Sequence, residues 1–147
     1  MSLRGHVVAV SISEAKGEKK RTVPEALLDA EHGLRGDAHA GPWHRQVSLL
    51  AMESVRKMQE RGVAVGPGDF AENITTEGLV LADLPVGARL RIGSEVLAEV
   101  TQIGKECHDR CAIYQQVGDC VMPREGIFAR VLTGGRVAPG DVVEVLP

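Results

Sequence analysis

Six stretches of this chain alternate or run apolar over a few residues, are rich in Val and Ile, and are bounded by Gly, Pro or Asp: residues 7–12, 46–50, 88–92, 96–103, 127–132 and 141–145. The pattern predicts short β-strands, because β-branched side chains fit a pleated, half-buried surface and the flanking residues turn the chain. Residues 51–61 follow a different period. Met52, Val55 and Met58 recur at three-residue spacing while Glu53, Arg56, Lys57, Gln59 and Glu60 fill the other positions, which predicts one amphipathic helix closed by Gly62. Residues 24–31 are ambiguous: Glu25, Ala26, Leu27 and Leu28 behind Pro24 favour a helix by propensity, whereas the flanks look like strand ends. Many strand signals against one clear helix, with Gly-rich turns between them, predict a mostly β fold, a closed or nearly closed barrel with short extra helical turns.

Composition narrows the class. At 147 residues the chain suits a single domain spanning 1–147, large enough to bury a core without staples. Its 17 glycines and 7 prolines are scattered, so they punctuate elements and mark no linker or repeat. Three cysteines leave at least one unpaired and form no disulfide framework, so a reducing, cytoplasmic setting is expected. The apolar run near Met1 is too short for a signal segment, and no stretch is long enough to span a membrane. A formal charge of −3, from 17 basic and 20 acidic residues, has the wrong sign for phosphate-backbone binding. One Trp, one Tyr and two Phe leave little for base stacking. The expected partner is a small molecule or another protein, with no nucleic acid and no membrane.

Three stretches carry candidate chemistry. The first is Gly33-Leu-Arg-Gly-Asp-Ala-His-Ala-Gly41 with Trp43-His-Arg-Gln46, where glycines permit tight turns and Arg35, Asp37, His39, His44 and Arg45 offer donors and charge for an anion. The plainer alternative is that Asp37 and Arg45 pair with each other to close a turn; His6 and His32 are read as structural. The second is Gly66-Pro-Gly-Asp-Phe-Ala-Glu-Asn73, whose Asn73 can read a heterocycle edge or satisfy local backbone groups. Gly134-Gly135 reads as a hairpin turn. The third is Lys105-Glu-Cys-His-Asp-Arg-Cys111 with Cys120 beyond it. Lys105, His108 and Arg110 beside Cys107 favour its thiolate, while Glu106 and Asp109 oppose them. Cys107, His108, Cys111 and Cys120 are also a possible zinc set, although they lack paired short intervals. A Cys107–Cys111 disulfide is a further alternative, though it demands geometry a regular helix seldom offers. Cys111 and Cys120 sit in apolar runs and read as packing, whereas Cys107 follows a strand end and is expected at a barrel mouth.

The order of Gly36-Asp-Ala-His39, Arg45-Gln-Val-Ser-Leu49, Gly68-Asp-Phe-Ala-Glu-Asn73, Gly87, Gln102 ahead of Cys107, and Gly126-Ile-Phe-Ala-Arg-Val-Leu132 resembles a MOSC domain along nearly the whole chain. MOSC is the domain found at the C-terminus of molybdenum cofactor sulfurases, and the Cys-His-Asp-Arg-Cys variant resembles a subgroup of stand-alone bacterial domains. Ala71 stands where the family often has a second glycine, and His108 where it commonly has an apolar or aromatic residue. The resemblance implies a mostly antiparallel β-barrel in which residues 24–31 are largely strand. It implies a molybdenum or tungsten pterin cofactor, or its precursor, as ligand, and a cofactor-biosynthesis protein or molybdoenzyme as protein partner. The family's motif cysteine matches Cys107, which would carry sulfur as a persulfide or ligate the metal. His108 is the nearest candidate acid or base. The expected function is cofactor binding and handling, in sulfur carriage, sulfuration or insertion; the alternatives are a molybdenum-dependent reductase of N-hydroxylated compounds and a non-catalytic carrier. A cleft walled by Arg35, Asp37, His39, Arg45, Asn73 and Lys105 is expected to hold the phosphorylated pterin. No aminotransferase-like domain accompanies these motifs, so no pyridoxal phosphate is expected in this domain.

Overall fold

The computed structural model describes residues 3–15, 19–104 and 125–147, and in them the short apolar runs become strands. In chain order these are β1 (Arg4–Ile12), β2 (Arg21–Val23), β3 (Ala26–Asp29), β4 (Gly33–Leu34), β5 (Val47–Ala51), helix α1 (Met52–Glu60), β6 (Ile74–Glu77), a 3-10 turn (Leu81–Asp83), β7 (Arg89–Ile92), β8 (Val96–Ile103), β9 (Ile127–Thr133), β10 (Gly135–Val137) and β11 (Val142–Val145). Strands run β11-β7-β8-β9-β5-β6-β1-β2, and β11 also pairs with β1, which closes seven of them into a barrel with β2 attached outside the ring. All pairs in the ring are antiparallel except β5 with β6, which lie parallel because α1 carries the chain back between them. A small sheet, β10-β3-β4, sits apart from the barrel's ladder.

Alternation explains the walls. In β7, Leu90 and Ile92 are buried while Arg89 and Arg91 face out, and in β8 Val96, Ala98 and Val100 are buried. Their inward side chains join Val10, Leu49, Ile74, Ile127 and Val131 in one core, each worth about 1.5–3 kcal/mol when fully withdrawn from water. β5 is buried at every position because both its faces are covered: Val47 and Leu49 point into the barrel, while Leu50 packs with Val55 and Met58 of α1 and with Phe70 and Phe128. The helix ends where its period predicts: Gly62 takes φ +86° and donates its N–H to the Gln59 carbonyl at 3.0 Å.

Two local expectations are corrected. The helical propensity of residues 24–31 gives way to strand β3, because Leu28 pairs with both Gly135 and Leu34, and these ladders satisfy backbone groups that an isolated helical turn would leave open. This agrees with the family resemblance. The Gly134-Gly135 pair is not a hairpin between paired strands: it hands the chain from β9 in the barrel to β10, which pairs with β3. A Cβ on Gly134 would lie 2.5 Å from the Leu28 carbonyl oxygen, so glycine is needed for that close passage. β1 begins before its apolar run because Arg4, Gly5 and His6 pair with Glu144, Val143 and Val142. Among the described residues no helix is long and apolar enough to cross a membrane.

Candidate functional site

Strand register sets residues of five strands side by side in one row. Val10 near the end of β1 pairs with Ile74 at the start of β6, Leu49 of β5 with both Ile74 and Ile127, and Ile127 at the start of β9 with Ile103 at the end of β8. Beyond this row the chain leaves in two directions: β1 stops and β5 and β6 start toward one end of the barrel, whereas β8 stops and β9 starts toward the other. At that second end the Gly104 N–H bonds the Gly126 carbonyl at 2.6 Å, so β8 ends and β9 begins side by side.

A buried cluster organises the end of the barrel where β1 stops and β5 starts. Asp37 and Lys20 form an ion pair at 2.8 Å, and neither side chain is exposed to solvent. Asp37 also accepts the Ser13 and His39 backbone N–H groups, each at 3.0 Å, while the Lys20 ammonium reaches the Ser13 hydroxyl at 2.9 Å and His39 Nδ1 at 3.1 Å. Burial pushes the Asp37 carboxyl up, but the hydrogen bonds from His39, Lys20 and Ser13 outweigh it and hold the group well below the usual carboxylate range. His39 lies parallel to Trp43, their planes within 1°, and the Trp43 indole N–H donates to the His39 carbonyl at 2.7 Å.

A second network ties the segment that precedes β5 to the last residues of β8. Gln102 donates to the Gly104 carbonyl at 2.7 Å, which turns its amide oxygen outward. That oxygen accepts from His44 Nε2 at 2.9 Å and Arg45 Nε at 3.1 Å. The Arg45 guanidinium also lies over the Phe128 ring, 5.2 Å from its centre. Its terminal nitrogens make no hydrogen bond or ion pair with the described residues, so a half-buried cation is held in place with two donors in reserve.

The structure distributes the predicted residues unevenly. Asp37 and His39 come together, and Trp43 and His44 in edge-to-face contact link them to Arg45. The expected alternative of an Asp37–Arg45 pair is replaced by Asp37–Lys20 and Arg45–Gln102. Arg35 stands apart, paired with Asp29 at 2.7 Å on the surface. Asn73 is fully buried: its oxygen accepts the Ser48 N–H at 3.0 Å and its amino group donates to the Ser11 carbonyl at 3.2 Å, stitching β5, β6 and β1 together. Lys105, Cys107, His108, Cys111 and Cys120 lie outside the described residues, and with them the thiolate, zinc and disulfide alternatives. Among the described residues no group of three or more His, Cys, Asp or Glu is placed to hold a metal ion. Sequence reasoning missed Lys20. It follows Glu18 and Lys19 in a charged run that reads as solvated, and no local signal marks one lysine of such a run as buried.

Gly68 couples the second loop to this cluster. Its φ is +87°, and an added Cβ would meet the Lys20 carbonyl oxygen at 2.4 Å, so a side chain there would displace the segment that carries Lys20 into β2.

The model of the MOSC domain family matches residues 36–144. Among solved structures, the YuaD protein from Bacillus subtilis shares 19% identity with a TM-score of 0.83, over 99% of this chain and 97% of that one. YiiM from Escherichia coli shares 22% identity with a TM-score of 0.70, over 98% of this chain and 70% of that one. YiiM from Geobacillus stearothermophilus shares 21% identity with a TM-score of 0.73, over 97% and 75% respectively. At these identities the likeness is one of fold. No curated protein sequence matches the chain.

Proposed function

We propose a function from one premise: the chain belongs to the MOSC domain family, which is linked to binding and sulfuration of the molybdenum cofactor. On this reading the protein binds a molybdenum or tungsten pterin cofactor, or its precursor, and handles it in sulfur carriage, sulfuration or insertion through Cys107. A cofactor-biosynthesis protein or a molybdoenzyme would be the partner that supplies or receives it.

The observation that carries the reading is Arg45. Its guanidinium is fixed by Gln102 and Phe128, yet keeps its terminal N–H groups open where β8 leads toward Cys107. A phosphate suits such a planar fork, because two parallel charge-assisted hydrogen bonds combine strength with orientation. The donor set therefore fits a phosphorylated ligand. His44, held by the same Gln102 oxygen, would add a neighbouring ring, and the Asp37–Lys20–His39 cluster would form the rigid wall behind it. When bound, the cofactor supplies a metal that accepts a soft thiolate ligand and changes oxidation state. This chain's part is to hold the phosphate at Arg45, present Cys107 as thiolate with Lys105 and His108 as its charged neighbours in sequence, and keep the site geometry constant.

The test is purification from cells that make the cofactor, followed by elemental analysis, pterin analysis and intact mass. Wild-type protein is expected to carry metal, or the mass of an additional sulfur atom lost on reduction. Cys107→Ser should remove it, and Arg45→Ala should lower pterin content about tenfold or more, as loss of charge-assisted bonds implies. Wild-type protein free of metal, pterin and extra sulfur would end this reading. Turnover of N-hydroxylated substrates with an electron donor would move the function to the reductase class.

A further inference from the structure

The Arg45 guanidinium is anchored by neutral groups. Gln102 Oε1 accepts its Nε–H at 3.1 Å, it lies over the Phe128 ring, and no carboxylate pairs with it among the described residues. Other arginines of this chain are held differently. Arg4, Arg35, Arg56 and Arg136 lie against Glu144, Asp29, Glu77 and Glu25, while Arg89 and Arg130 share Glu99. A carboxylate satisfies a guanidinium donor and offsets its charge at the same time, whereas an amide oxygen does only the first. Arg45 is thus oriented with its charge unspent.

Gln102 is itself anchored for this task. The Gly104 carbonyl can only accept, so the contact at 2.7 Å fixes which end of the amide carries the amino group, and the oxygen is left for Arg45 and for His44 Nε2 at 2.9 Å. The Thr101 hydroxyl donates to the His44 carbonyl, which ties the backbone next to Arg45 to β8. Geometry then selects one edge of the guanidinium. It can offer an oxyanion Nε with one terminal nitrogen, side-on, or its two terminal nitrogens, end-on. Gln102 occupies Nε, so the end-on pair is the one left open. We infer that Gln102 is a positioning residue: its neutral amide aims Arg45 end-on at a phosphate and leaves the guanidinium's full charge for that ligand. The inference deepens the cofactor reading and rests on it for taking the oxyanion to be a phosphate.

Two variants separate aim from charge. Gln102→Glu keeps an oxygen for the Arg45 Nε–H but sets a carboxylate against the guanidinium, whereas Gln102→Leu leaves the charge unpaired and removes the acceptor. The probe is inorganic phosphate, exchanged for chloride at constant ionic strength. NMR of the isotope-labelled full chain follows the Arg45 Nε–H, identified by its loss in Arg45→Ala, with calorimetry in parallel for affinity. In the wild type this resonance should exchange slowly with water and shift saturably with phosphate. Gln102→Glu should keep the slow exchange and weaken phosphate about tenfold or more, the scale of a lost charge-assisted contact. Gln102→Leu should lose the slow exchange and weaken phosphate as well. A merely structural role would not move affinity while the Nε–H stays protected. Folded Gln102→Glu that binds phosphate as tightly as wild type overturns the inference, as does Gln102→Leu with Nε–H exchange unchanged. If Gln102→Glu does not fold, the Gln102→Leu arm decides. No saturable response in the wild type also overturns it, yet metal, pterin or extra sulfur on the purified protein would still support the cofactor reading. Their absence, with phosphate bound and both variants impaired, would end that reading and leave an oriented phosphate site.

Discussion

Asp37, in the loop between β4 and β5, and Glu72, in the loop between α1 and β6, are both carboxylates withdrawn from water, and they are driven in opposite directions. Asp37 has the Lys20 ammonium at 2.8 Å and two backbone donors, and it stays ionised far into acid. Glu72 has no ion pair among the described residues; burial pushes its carboxyl up, against hydrogen bonds from the Gly68 and Glu72 backbone, the Thr75 hydroxyl at 2.8 Å and the Phe70 N–H at 3.3 Å. Burial therefore does not decide the charge of a carboxylate. The balance of burial against donors does: hydrogen bonds from His39, Lys20 and Ser13 outweigh burial at Asp37, whereas at Glu72 burial outweighs its donors.

The largest effect expected from this contrast is at the ion pair. Asp37→Asn leaves the Lys20 ammonium buried without its counterion and should cost about 3–5 kcal/mol in urea unfolding at neutral pH. An effect below about 1 kcal/mol, the range of exposed pairs, would mean that the cluster is open to water. The pH dependence separates the two loops. Asp37 has a lowered folded-state pKa, so its stabilisation is present above its unfolded value near 3.8 and is lost as pH falls through the folded one. Glu72 has a raised folded-state pKa, so the fold takes up a proton before the unfolded chain does. Its contribution improves as pH falls through that raised value toward 4.5. Stability measured from pH 7 downward should thus rise before it falls, and Asp37→Asn should flatten the falling limb.

Glu72→Gln is a smaller change. One amide oxygen can keep the Phe70 N–H, and the Thr75 hydroxyl can rotate to accept from the new amino group. The variant should fold, differ from wild type by about 1 kcal/mol or less at pH 7 in the stabilising direction, and lose the rise on acidification. A marked loss of stability would show that the ionised carboxylate is required. The smallest effect is expected at the exposed Arg35–Asp29 pair, which joins the same charge types as Lys20 and Asp37. Arg35→Ala should leave the unfolding midpoint unchanged within error, since water screens both partners already. A clear shift there would mean that burial is not what sets the Lys20–Asp37 pair apart from this exposed one.

Much of the barrel was legible along the chain. β7 and β8 show inside-outside alternation, and α1 carries its three-residue apolar spacing up to Gly62. β6 was not legible. Its Thr75 and Thr76 are both fully buried, between β1 and β5, so two adjacent polar residues conceal a central strand. Nor were the two-residue and three-residue strands β4, β2 and β10, which owe their conformation to a paired neighbour more than to any pattern of their own. Within the candidate site the motif residues Asp37, His39 and Arg45 stood out by type, but their partners did not. Lys20 lies 17 residues from Asp37, and Gln102 lies 57 from Arg45.

By itself, then, the order of residues determined the short strands, the one helix, the barrel class and the motifs that mark a MOSC domain. These rest on local periods and on residue types, which are written along the chain. Only the tertiary structure decided that Lys20 is inside and that Asn73 is spent on Ser48 and Ser11. It also decided that Gln46 is tied to Val131 of β9 and that two buried carboxylates differ in charge preference. Exposure, hydrogen-bond satisfaction and electrostatic energy depend on distances in space, and barrel closure sets those distances between residues that are far apart in sequence.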